Sequence, residues 1–323
     1  MPEVLTAADH PELFARWRDG DHRFRFNEKA RYGAFARHYY PVAFAGTRQD
    51  ASFAIAEGDR PRLLALATAG DCRLDYYGSP LRLCCAEPED GAAIAAAFAH
   101  IDQLIASRSL KRVEIAEEAP SNRLSPVGEA CLNRHFRPSL RMTAWGDLSE
   151  GETSLRRGLR KSYKSLLNWG RANMTIAVVN RETPDRAQFD RYQAFHQAVA
   201  GRSFRVQNTW DALFTWIESG QGELVLGFLQ DDLVAGTLVG DAEGSAYYVS
   251  GVYDRERFDK PMAHWPLWTA MLRAHERGLM RFELGDIPLD GDATPKEVAI
   301  GFFKRGFATE IATSVVWSLD AHE

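Results

Sequence analysis

A mixed α/β fold, built twice from one unit, is what this sequence predicts. Three observations predict it: two long stretches repeat one succession of apolar strands and turns, an amphipathic helix follows each, and each half closes on a strand ending in tryptophan. In the first half, "SFAIAEGDRPRLLALATAGDCRLDYYGSP" reads as two strands about an Asp-Arg-Pro turn, then a strand ending Tyr76-Tyr77-Gly78. In the second, "ELVLGFLQDDLVAGTLVGDAEGSAYYVSGVYD" reads as two strands about Asp231-Asp232, then a strand ending Tyr247-Tyr248 before Gly251. Runs of apolar and β-branched residues set off by Gly, Asp and Pro carry those assignments.

The helices "GAAIAAAFAHIDQLIASRS" and "HWPLWTAMLRAHERG" come next, the second closed by Gly278. Short strands follow, "KRVEIAEE" and "MRFELGD", each with a glutamate between apolar residues. Then "ACLNRHFRPSLRMTAW" matches "GFFKRGFATEIATSVVW": a short helix, a turn before Phe136 or Phe307, and a last strand reaching Trp145 or Trp317. The order strand, strand, strand, helix, strand, helix, strand is thus present twice. Asp, Ser, Gly and Glu gather at 147–155, which predicts two domains, 1–150 and 151–323, with a cleft between similar domains as the natural place for a ligand.

The bounds agree with such a protein. A chain of 323 residues, 45% apolar and 26% charged, has the composition of an ordinary globular protein and room for two medium domains. A net charge of −5 gives no global reason to bind nucleic acid, and DNA is not an expected partner. No basic segment leads into an apolar core at the N-terminus and no run is long enough to span a bilayer, so a cytoplasmic location is expected. Cys72, Cys84, Cys85 and Cys131 form no CxxC pair and read as reduced thiols, and the nine histidines show no metal-binding spacing.

The junction carries a charged element. "TSLRRGLRKSYKSLLNWGRA" predicts one helix over 153–172, with Leu155, Leu159, Tyr163, Leu166 and Trp169 on one arc. Arg157, Arg160, Lys161, Lys164 and Arg171 share the opposite arc without an acid among them. Such a stripe is either a solvated basic face or an anion site for a diphosphate, an RNA backbone or an acidic membrane surface.

The Tyr247-Tyr248 strand, the helix "PLWTAMLRAHERGL", the strand "RFELGD", the segment "FFKRGFATE" and the basic "LRRGLRKSYKSLLNWG" together resemble the second half of the FemAB family. Those proteins carry tandem copies of the GNAT fold of N-acetyltransferases. The resemblance implies two GNAT-like domains, the first recognising the acceptor and the second catalytic. It implies acyl transfer to an amine, with an aminoacyl-tRNA or acyl-CoA as co-substrate donor and no bound cofactor. The acceptor implied is a phosphate-bearing small molecule or lipid-linked precursor of cell-envelope saccharide or peptidoglycan, with tRNA as donor partner and peripheral membrane contact. Two alternatives stand beside this: an acyl-CoA-dependent N-acyltransferase of an amino-sugar or natural-product pathway, and a non-catalytic anion-binding module.

The donor grip departs from ordinary GNAT enzymes, which hold the coenzyme A pyrophosphate on backbone N–H groups of a glycine-rich loop. Here that stretch is "YDRERFDKPMAHWP", without glycine and with Pro261 and Pro266 removing donors; Arg255, Arg257 and Lys260 offer side chains instead.

Amide formation needs a neutral amine, a proton acceptor and stabilisation of the tetrahedral oxyanion. Lys304 stands where the family carries a lysine that serves the oxyanion; the alternative is a surface lysine snorkelling past aromatics. Asp286, at a strand end, is the candidate proton acceptor. Glu283 lies three residues earlier, so in a regular strand at most one of the two lines the site. Tyr248 is the third candidate catalytic group. His196 is a packed histidine or an acceptor contact, Arg202 and Arg205 could clamp an anionic acceptor, and Tyr253 could line the cleft. Where the second copy has Lys304-Arg305-Gly306-Phe307, the first has Asn133-Arg134-His135-Phe136. Catalysis is therefore expected in the C-terminal half.

Overall fold

The computed structural model describes residues 2–24, 26, 29–119, 122–201, 205–257, 260–289, 291 and 293–320. The repeated order of elements is present, but the chain does not divide at one point. One compact unit comprises Met1–Asn27, Phe44–Arg141 and Thr313–Glu323; the other comprises Glu28–Ala43 and Met142–Ala312.

In the first unit, Glu3–Thr6 pairs antiparallel with Phe53–Glu57, which forms a hairpin with Arg60–Leu66. The turn is Gly58-Asp59, one residue ahead of the expected one, with Gly58 at φ 56°. The "DYYGSP" segment is not a simple strand. Arg73–Asp75 pairs parallel with Arg112–Glu118, the chain then loops through Tyr77 and Gly78 at positive φ, and pairing resumes at Leu81–Cys85. Helix Gly91–Arg108 makes the crossover, its first turn capped by Asp90 on Ala93 N–H. It buries Ile94, Phe98 and Ile101 against Phe53, Leu63 and Ile115.

The second unit is a six-stranded sheet over Thr175–Val179, Gly222–Leu229, Asp232–Ala242, Ser245–Tyr253, Arg281–Ile287 and residues 142–147. All neighbours are antiparallel except Ser245–Tyr253 and Arg281–Ile287, which the crossover helix His264–Glu276 makes parallel. Leu224, Leu226 and Phe228 enter one core with Trp210, Phe189 and Phe35, while Val225 enters another with Trp268, Met271 and Phe282. Both faces are covered, which is why these strands are apolar nearly throughout.

The last strand of each repeat serves the other unit. Arg137–Asp147 pairs from Met142 onward with Arg281–Ile287, and Glu310–Asp320 pairs from Ser314 onward with Arg112–Glu118. The short helices before them differ. Both begin with a capping hydroxyl and a proline, Ser125-Pro126 and Thr294-Pro295, but Pro126–Leu132 has 7 residues and Pro295–Phe307 has 13. The first copy leaves the helix at Asn133, and His135 sits at φ 65° where Gly306 is still helical.

The expected helix over 153–172 is broken. Glu152–Gly158 ends with Leu159 in an extended conformation, and Tyr163–Asn173 starts afresh. The break keeps Leu155, Leu159, Tyr163 and Leu167 buried together and ends the single basic stripe. Gly306 lies flat against the Tyr163 ring, where a Cβ would collide. Gly306→Ala should therefore lower the unfolding free energy by about 1–3 kcal/mol in denaturant titration; an unchanged midpoint would contradict this packing.

Candidate active site

The strand Arg281–Ile287 changes register once. Glu283 stands opposite Trp145 and Gly285 opposite Ala144, so Leu284 is the extra residue of a β-bulge. Gly285 takes φ 89°, which favours glycine at this turn of the backbone. Phe282, Leu284 and Ile287 all enter one core. Glu283 and Asp286 are thereby turned to the same group, the guanidinium of Arg31, which corrects the expectation that at most one of them lines the site.

Arg31 binds Asp286 with both terminal nitrogens, at 3.0 and 3.3 Å, and reaches Glu283 at 3.5 Å. Thr143 Oγ1 donates to Asp286 Oδ1 at 3.0 Å. The two carboxylates differ in exposure: Glu283 is 2% exposed, whereas the Asp286 side chain is 41% exposed. Burial works against the charge of Arg31, but Asp286 and Glu283 outweigh it and hold Arg31 well above its usual value. Burial pushes Glu283 up, the Asp286 charge adds to this, and Arg31 opposes it. Glu283 Oε2 is buried without a hydrogen-bond partner. Opposite Glu283 on the parallel strand lies Tyr247, pushed up to about 12 by burial and then by the Glu283 charge.

Lys304 arrives from the helix Pro295–Phe307. Its Nζ donates to the backbone oxygen of Asp286 at 3.0 Å, and a Cβ on Gly285 would stand 3.0 Å from that nitrogen. The absence of a side chain at 285 is thus what lets the ammonium reach the bulge. Burial lowers the Lys304 pKa, while Asp286 and Glu283 act to keep it charged. The aromatic neighbours belong to another face of the helix: Phe303 and Phe307 pack with Tyr163 and His264, with ring centroids 4.5–6.4 Å apart.

Lys304 and Asp286 are therefore brought together. Tyr248 packs beside the core that holds Trp268 and Phe282, on the face away from Tyr247, and burial drives its pKa up. Among the described residues no hydrogen bond or ion pair joins it to Lys304. His196 packs on Tyr192 and Trp210, and burial, then Arg205, lowers it to about 4. Arg205 donates to Tyr39 Oη at 2.9 Å and lies over Trp210. Tyr253 is half-buried beside Met174 and Met262, and Arg255 is exposed. Arg202 lies outside the described residues.

The expected basic stripe separates into unlike groups. Arg157 pairs with Glu150, and Arg160 lies over the Phe302 ring and donates to Phe302 O and Tyr163 Oη. Lys161 and Lys164 are exposed. In the loop after Tyr253, the N–H groups of Glu256, Lys260 and His264 already bond within the loop, and Arg257 pairs with Asp232 and Asp254.

Sequence reasoning missed Arg31, Thr143 and Tyr247. The segment "KARYGAFARHYY" lies ahead of the first repeat and is rich in arginine and aromatics, which marks it as serving something outside its own copy. The isolated glycine inside "FELGD" was the available sign of a bulge.

Residues 153–296 match the family model for an acetyltransferase (GNAT) domain. No curated protein sequence matches significantly. Among solved structures, FemX is 13% identical with TM-score 0.63, over 86% of this chain and 90% of that one. A tandem GNAT protein from the clavulanic acid biosynthesis pathway is 16% identical with TM-score 0.59, over 100% and 99% of the chains. L-PGS from Bacillus licheniformis is 15% identical with TM-score 0.54, over 85% of each. These likenesses show a tandem GNAT fold.

The raised pKa of Glu283 has a definite sign in stability. Above its ordinary value of 4.5 the unfolded chain releases this proton while the folded site resists, so the contribution of Glu283 falls as pH rises. As pH rises through and above 4.5, Glu283→Gln should gain stability relative to the native protein in denaturant unfolding; a flat or opposite difference would contradict the assigned environment.

Proposed function

We propose, from the match of residues 153–296 to an acetyltransferase (GNAT) domain and from the tandem GNAT fold, that this chain transfers an acyl or aminoacyl group to an amine, forming an amide. The observation that carries the reading is the Lys304 ammonium held 3.0 Å from the Asp286 backbone oxygen, beside a carboxylate fixed by Arg31 and Thr143. The parallel strands Ser245–Tyr253 and Arg281–Ile287 pair over only three residues, Ser245–Tyr247 with Arg281–Glu283. Beyond those positions no pairing joins the two strands among the described residues, and the proposed place of the acyl donor is there.

In this reading Asp286, the exposed carboxylate, holds the acceptor's ammonium and takes one proton from it. The freed nitrogen attacks the carbonyl carbon of an ester or thioester, and its π electrons move to oxygen. Lys304 compensates that developing charge, which the neutral carbonyl lacks, so its effect falls on the transition state. Collapse forms the amide, breaks the carbon–oxygen or carbon–sulfur bond, and passes the second amine proton to the leaving group. Arg31 fixes Asp286 while engaging its lone pairs, so orientation is its larger contribution.

The donor reading favours an aminoacyl-tRNA over acyl-CoA, because the loop after Tyr253 lacks glycine and uses its N–H groups internally. The acceptor, an amine-bearing precursor of cell-envelope saccharide or peptidoglycan, rests on the family resemblance. Its recognition is assigned to the first copy, which lacks the lysine. In the second unit Arg205, whose charge helps to lower His196, is a further candidate for an anionic group of that acceptor.

Purified protein given charged tRNA or acyl-CoA thioesters with amine acceptors, and read by mass spectrometry, tests the activity. Transfer should occur from the aminoacyl donor and vanish with ribonuclease; transfer from the thioester alone would reassign the donor. Lys304→Ala should lower turnover by about 10²–10³ with little change in melting temperature. Full residual activity would remove Lys304 from the mechanism.

A further inference from the structure

The second unit holds a cavity of about 340 Å³ whose lining includes neither Lys304 nor Asp286. Three elements build it. Helix Arg186–Ala200 supplies Arg191 and Phe195, four residues apart and so on one face. The strand Asp232–Ala242 supplies its first three residues, and the loop after Ser245–Tyr253 supplies Asp254 and Arg257. The Asp254 N–H donates to Val234 O at 2.8 Å, which ties that loop to the strand. The lining is apolar at Phe195, Leu233 and Val234 and charged at its other four positions.

Those charges are two of each sign, and they are not fully spent on one another. Arg257 Nη2 donates to Asp232 Oδ2 at 2.7 Å, and its Nε lies 3.4 Å from Asp254 Oδ2. Asp254 Oδ1 accepts from the Glu256 N–H. Arg191 differs from Arg257. It donates to the backbone oxygen of Asp231 at 2.8 Å and lies 5.2 Å over the Phe228 ring. Among the described residues it pairs with no carboxylate, and Asp232 Oδ1 accepts no hydrogen bond. A backbone oxygen and a ring hold a guanidinium in place without neutralising it. The cavity therefore offers a fixed cation, a carboxylate oxygen and an apolar surface together.

We propose that this cavity binds a free α-amino acid with an apolar side chain. Its carboxylate meets Arg191, its ammonium meets Asp232, and its side chain packs on Phe195, Leu233 and Val234. The net charge of the lining decides the class. Two arginines and two aspartates sum to zero, so a phosphate would meet two carboxylates and a simple cation two guanidiniums, whereas a zwitterion answers one group of each sign. Size narrows it further, because about 340 Å³ is at the lower end for ligand pockets, roughly 300–1,000 Å³. A nucleobase fits less well: it leaves the Arg191 charge unanswered and finds one aromatic side chain, Phe195, among the lining residues. The inference does not rest on the acyl-transfer reading, since none of these side chains takes part in it.

Isothermal titration calorimetry of the full chain with L-leucine, L-methionine and L-phenylalanine tests it. Binding should be saturable. Isocaproate, which keeps the carboxylate of leucine without its ammonium, and isoamylamine, which does the reverse, should each bind at least about 10-fold more weakly than leucine. Arg191→Gln and Asp232→Asn should each weaken leucine binding by about 10-fold or more, with melting curves showing that the variants fold. The two analogues probe the same contacts on the native protein if a variant does not. Adenosine should not compete. No saturable binding of any of the three amino acids, an affinity for isocaproate or isoamylamine equal to that for leucine, displacement of leucine by adenosine, or leucine binding unchanged in either folded variant would overturn the proposal.

Discussion

A single buried guanidinium, that of Arg31, faces two carboxylates that a regular strand would have pointed apart. Asp286 and the buried Glu283 would repel each other on one side of a strand, and the fork of Arg31 is what makes their arrangement stable. The geometry also requires the bulge at Leu284-Gly285, since only the extra residue turns Asp286 to the side of Glu283. The same glycine leaves the space through which Lys304 reaches the backbone of Asp286. Removing the guanidinium would leave Glu283 a buried, unpaired acid, a loss of about 3–5 kcal/mol in comparable sites. The site is therefore a consequence of one backbone irregularity and one long-range ion pair.

The two copies have diverged in ways that fit this division. Asp75 and Glu114 of the first unit also face arginines, Arg48 and Arg73, but Asp75 is buried at strand level and tied to Thr68, Gly78 and Arg48. The short helix of the first copy ends at Leu132, and Asn133 stands where the second copy has Lys304, so that helix brings no lysine to the site. The second copy lengthens that helix, and the added turns give it three faces: one packed on Tyr163 and His264, one carrying Lys304 to the bulge, and one exposed. The aromatics that flank Lys304 in the sequence thus do not surround its ammonium. Phe303 and Phe307 anchor the helix from which it extends.

Much of this was legible in the residues. Alternating apolar runs, turn residues and caps placed the seven-element order twice, and comparison of the copies singled out Lys304. Asp286 followed from its place at a strand end. What escaped was set by partners distant in sequence. Arg31 meets Asp286 across 255 positions, and local pattern does not name a partner at that range. Patterning likewise showed two final strands but not that each serves the other unit, because register and partner depend on whole-sheet packing. The break at Gly158-Leu159 yielded to burial of four apolar residues, which outweighed the helical period of the charges.

The central claim is that Lys304 and Asp286 act as one unit on the transferred group. A double-mutant cycle on the single-turnover transfer rate, with Lys304→Ala, Asp286→Asn and both together, measures that coupling directly. If they act together, the double variant should lose about as much as the worse single one. Losses that multiply, or a native rate in either single variant, would contradict it.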